Sequence, residues 1–144
     1  MARYIHACLA APLLVALTAA SCHSDRAEPT PAQIPYVDVN LPPGARDYHA
    51  YETGLQHTML QVRFELPSSE LPQLAARLPC RLGPIKGGPP EHGLVGTNDR
   101  AWYEPEDVKK HRSCEYSKDL TTASFLVDVE RSDRAIVHAV ISRE

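Results

Sequence analysis

Residues 124–142 read SFLVDVERSDRAIVHAVIS, and their pattern decides the fold. Two apolar runs, 124–130 and 135–142, flank the polar break Arg131-Ser132-Asp133-Arg134. Short β-branched runs on either side of such a break predict an antiparallel hairpin. In the second run Val137, Ala139 and Ile141 fall on one face, Ile136 and Val140 on the other. A strand that is apolar on both faces predicts a central position covered from each side. His138, on this strand, is expected to be a satisfied or edge-facing residue rather than a ligand. Asp128 and Glu130 share a face of the first run and are expected to decorate the solvent side.

Moving upstream, TMLQVRFEL (58–66) alternates Leu60, Val62, Phe64 and Leu66 with Gln61, Arg63 and Glu65. This period of two predicts a half-buried strand nearer an edge, with the polar set facing water. Pro67 ends it. SSELPQLAARL (68–78) predicts a short helix, with Ser68 or Ser69 as N-cap and Leu71, Leu74, Ala75 and Leu78 as its apolar face, stopped by Pro79. A second short helix is predicted from Pro105. Glu106 and Asp107 suit its positive end, and Lys109, Lys110 and Arg112 its negative end. Together these elements predict a single α+β domain over residues 48–144: a three- to four-stranded, mainly antiparallel sheet with one or two short helices.

At the other end of the chain, Arg3 is the only formal charge before Asp25, and residues 7–20 are apolar except for Thr18. A basic start, a short apolar run and small residues at its end make a secretory signal over residues 1–21. The run falls short of the ~20 residues of a membrane-spanning helix, and Pro12 interrupts it. Ala19-Ala20-Ser21-Cys22 resembles the lipobox of bacterial lipoproteins. The resemblance covers the first 22 residues only. It implies a diacylglyceryl group on the Cys22 sulfur, Cys22 as the new N-terminus, and a membrane partner through that anchor. His23 stands where an Asp would favour inner-membrane retention, which points to the outer membrane, facing the periplasm. Ala19-x-Ser21 also fits an ordinary signal peptidase site. Residues 22–47 carry Pro29, Pro31, Pro35, Pro42 and Pro43 and predict a tether, because proline cannot continue a regular ladder. Only 36–39 has strand character. Export favours oxidised thiols. With Cys8 removed in the signal and Cys22 acylated, Cys80 and Cys114 are left to form one disulfide.

The whole chain carries a formal charge of −3, and loss of Arg3 makes it one unit more negative. That balance gives no electrostatic case for nucleic acid or anionic lipid. His49, His57, His92, His111 and His138 lack the short paired spacings of zinc sites, so no metal or cofactor is expected. G-x-S-x-G and Ser-x-x-Lys are absent, and no catalytic residue is assigned. The stretch GPIKGGPPEHGLVG (83–96) lacks phosphate-loop spacing and reads equally as a surface loop or a binding loop. On the second reading, Lys86, His92 and Asn98 offer polar contacts to a protein partner, with Trp102 and Tyr103 as aromatic anchors. On the first, Trp102 and Tyr103 close the core. The expected function is a non-enzymatic, lipid-anchored cell-envelope protein that binds another molecule, such as an inhibitor or immunity-type lipoprotein. A small periplasmic enzyme and a structural subunit of an envelope assembly are the competing classes.

Overall fold

Strands β4 (Thr58–Pro67) and β8 (Arg134–Arg143) pair antiparallel along their whole lengths in the computed structural model, which describes residues 30–54, 56–90 and 102–144. Their register sets Leu60 opposite Ile141, Val62 opposite Ala139 and Phe64 opposite Val137. On its other side β8 pairs with β7 (Thr121–Asp128), the hairpin expected from the sequence, with Phe125 against Ala139 and Val127 against Val137. Outward from this centre lie β3 (Arg46–Thr53) beyond β4, and β6 (Lys110–Lys118) then the two-residue β5 (Lys86–Gly87) beyond β7. The order is β3-β4-β8-β7-β6-β5, antiparallel throughout. β8 is therefore internal, as its two apolar faces require, and β4 stands one strand from the edge.

The expected α+β class is overturned. Among the described residues strand outweighs helix by 50% to 10%, and the sheet has six strands rather than three or four. The helix expected over 68–78 shrinks to a 3₁₀ turn (Ser68–Glu70) and one turn of α-helix, α1 (Leu71–Ala75), neither with a side-chain cap. At Pro105 there is a single 3₁₀ turn, Pro105–Asp107. Lys110 and Arg112 lie on β6 instead of at a helix C-terminus. A helix this short gains too few hydrogen bonds to offset nucleation. Pairing with β7 gives the same residues a full ladder, which outweighs their modest helix preference.

One face of the sheet carries the core: Leu60, Val62, Phe64, Leu66, Phe125, Val127, Val137 and Ile141 are all buried. Leu74 and Leu78 cover it, together with a small hairpin of β1 (Gln33–Ile34) and β2 (Val39–Asn40) that inserts Ile34 and Val39, followed by Leu41. From Gln33 onward the stretch expected to be a tether up to residue 47 is therefore packed into the folded unit. Its prolines do not prevent this because they sit where no ladder runs: Pro35 opens the turn between β1 and β2, and Pro42 and Pro43 follow β2. The Cys80–Cys114 disulfide is present, with Cα atoms 5.8 Å apart, and it ties the segment after α1 to β6.

The opposite face was expected to meet water. Instead Gln61 and Glu65 are buried at 1% and 8% exposure, and Tyr103 and Val108 are buried too. The segment from Trp102 to Val108 packs onto this face, through Tyr103 against His138 and Val108 against Leu126 and Val140.

Candidate binding cleft

Sheet register builds the polar face. His49 on β3 is opposite Arg63 on β4, and Arg63 is opposite His138 on β8, so three nitrogen-bearing side chains form one row across three strands. Next to that row β3 bulges. Between Arg46↔Glu65 and His49↔Arg63, two residues of β3 face one of β4, and Asp47 takes a left-handed φ of 51°. Aspartate tolerates that conformation better than most side chains, and a bulge re-aims the residues at it. Tyr48 turns into the core, while Asp47 joins the row.

A chain of charges follows. Oδ1 of Asp47 accepts a hydrogen bond from Nε2 of His49 at 3.2 Å, and its Oδ2 accepts one from Arg63. The second arm of the Arg63 guanidinium reaches Glu65 at 3.0 Å, and Arg134 donates to the other oxygen of Glu65 at 2.7 Å. Desolvation works against the Asp47 carboxylate, yet the hydrogen bonds from Arg63 and His49 outweigh it and hold its pKa below the usual value. Both arms of Arg63 are thus committed. Above the row, Trp102 stacks on His49 (centroids 5.2 Å, planes 17° apart) and meets Tyr103 edge-on at 5.7 Å. Tyr103 in turn stands edge-on to His138 at 5.4 Å.

Beside these rings opens a cleft of about 530 Å³, lined by Asp47, His49, Arg63, Trp102, His138 and Ile136 and by the carboxylates of Glu104, Asp107, Asp128 and Glu130. Asp128 is the least exposed of those four. Burial pushes its pKa up and Glu130 adds to that, while its backbone contact with Glu130 and nearby His111 oppose it. His138 is 4% exposed, and its Nδ1 has no hydrogen-bond partner among the described residues. Burial, with a smaller push from Arg63, lowers its pKa to about 4, so the ring is neutral at physiological pH. Among the described residues no three His, Cys, Asp or Glu side chains are grouped closely enough to hold a metal ion.

The sequence-derived candidates do not come together. Lys86 lies exposed on β5, at the opposite edge of the six-stranded sheet from His49 and Trp102. At ~4.8 Å per strand spacing that is about 24 Å. His92, Asn98 and Cys22 fall outside the described residues. Trp102 lines the cleft, and Tyr103 is buried beneath it. Asp47, His49, Arg63 and His138 were not singled out as a site. His138 in particular has no partner at Nδ1 among the described residues and does not lie at an edge. The local signals for them were Asp47-x-His49 and the unbroken polar set Gln61, Arg63, Glu65, but only strand pairing joins them. No family model, curated protein or solved structure matches the chain.

Proposed function

We propose that this chain is a non-enzymatic, lipid-anchored cell-envelope protein that binds a protein partner through the cleft beside Trp102, in the manner of an inhibitor or immunity-type lipoprotein. The observation that carries the reading is the cleft itself. It is open, its floor is made of sheet residues already locked by ion pairs, and a half-buried Trp stands at its wall. A recognition surface held rigid before binding loses little entropy on association, and Trp is the side chain most enriched among residues that dominate binding energy. The anchor at Cys22 would keep the domain at the membrane, since two or more acyl chains give stable attachment.

Affinity purification from detergent-solubilised membranes tests both parts. The wild-type chain should recover one stoichiometric protein. Trp102→Ala should lose it while circular dichroism shows the sheet still folded, and Lys86→Ala at the far edge should keep it. Cys22→Ser should move the protein to the soluble fraction or leave the precursor uncleaved. Recovery indifferent to Trp102→Ala would remove the cleft from the reading.

A further inference from the structure

Resting on that reading, the cleft's charge names what enters it. Four carboxylates line it (Glu104, Asp107, Asp128 and Glu130) and none has an ion-pair partner among the described residues. Among the described residues the lysine or arginine that lines it is Arg63, already held by Asp47 and Glu65. The carboxylates are too dispersed to converge on a metal ion. They suit a larger, hydrogen-bonding organic cation.

Two further observations point the same way. His138 is more than nine-tenths buried in the cleft wall, its Nδ1 has no hydrogen-bond partner among the described residues, and the neutral ring brings no competing charge. Trp102 offers an aromatic face, to which ammonium and guanidinium groups are attracted. We infer that the cleft receives a lysine or arginine side chain of a partner protein, held among Asp128, Glu130, Glu104 and Asp107 against Trp102, with neutral His138 in its inner wall. Asp128, partly buried beside Glu130, is costly to keep ionised in the free protein, and an incoming cation relieves that cost.

Trp102 is the only tryptophan of the chain, so its fluorescence reports on the cleft directly. The full chain in a non-ionic detergent is titrated at low salt with acetyl-Gly-Xaa-Gly-amide peptides in which Xaa is Arg, Lys, norleucine or Glu. The Arg and Lys peptides should give saturable changes that weaken as salt is raised, and the norleucine and Glu peptides none. Glu104→Gln with Asp107→Asn, two exposed positions where folding is not at stake, should weaken the Arg peptide several-fold. Asp128→Asn with Glu130→Gln should weaken it at least tenfold. Equal responses to all four peptides, or binding indifferent to both double variants, would overturn the assignment. Spermidine displacing the Arg peptide at equal concentration would assign the cleft to free polyamines and also overturn it. If the peptides fail while Trp102→Ala still abolishes partner recovery, partner binding stands and the cation alone is wrong.

Discussion

His138 carries a penalty that pH can read. Its ring lies on an internal strand, edge-on to Tyr103 and near Arg63. Burial first, and Arg63 second, lower its pKa from 6.5 to about 4. Between those values the unfolded chain binds the proton and the folded chain does not, so acidification favours unfolding. Stability is fully present above about pH 6.5, falls as the pH drops toward 4, and levels off below it. By pH 4.5 the loss should reach ~2–3 kcal/mol. The depressed carboxylate of Asp47 acts in a lower window, as the pH falls through and below the ordinary range near 4. Urea midpoints at pH 7.5 and 4.5 should therefore differ clearly in the wild type and much less in His138→Gln. The same acid loss in the variant would assign it to other groups.

Elements differ in how openly their sequences declare them. β4, β7 and β8 are built on short apolar runs visible locally, alternating in β4 and apolar on both faces in β8, and their strand assignments and the hairpin could be read without a structure. β3 and β6 could not. Their contacts with the core are Tyr48 and Ala50 in one, Cys114 and Tyr116 in the other, set among charged and polar residues. Such strands are stabilised by the neighbour they pair with, not by their own pattern. The polar row of β4 misled for a related reason: nothing near Gln61 or Glu65 announces that the segment from Trp102 to Val108 will pack onto their face of the sheet. The site was illegible because its parts come from β3, β4, β8 and that segment, and register alone assembles them. At this scale the disulfide matters most for β6, whose outer side is covered only in part by β5. Closing the loop between Cys80 and Cys114 is worth ~3–4 kcal/mol on the chain-entropy argument. Cys80→Ser with Cys114→Ser should lower the urea midpoint accordingly. An unchanged midpoint would mean that pairing with β7 suffices to hold β6.

The molecule as a whole is closed by its first described residues. Ile34, Val39 and Leu41 bury their side chains over the core. The connection to the rest is polar as well: the Gly44 amide donates to the Glu70 carboxylate at 2.9 Å, and Arg77 donates to the Asn40 carbonyl at 3.2 Å. A side chain at position 44 would run into Glu70, with its Cβ 2.5 Å from a carboxylate oxygen, so glycine permits this close approach. If Cys22 is the anchored residue, the folded unit, in which the Ala32 carbonyl already accepts from the Leu41 amide, stands ten residues from the anchor. Ten residues span at most ~35 Å, against ~80 Å for a separation running to residue 47. The cleft would then work close to the bilayer, on a partner that is itself at the membrane. Truncation separates the two lengths. A chain starting at Arg46 loses three buried aliphatic side chains worth ~1.5–3 kcal/mol each, a large share of the ~5–15 kcal/mol that holds a typical domain. It should be mostly unfolded or aggregated, and Ile34→Ala alone should cost ~2–5 kcal/mol. A chain starting at Arg46 that keeps the full midpoint would add residues 33–45 to that separation and lengthen its reach.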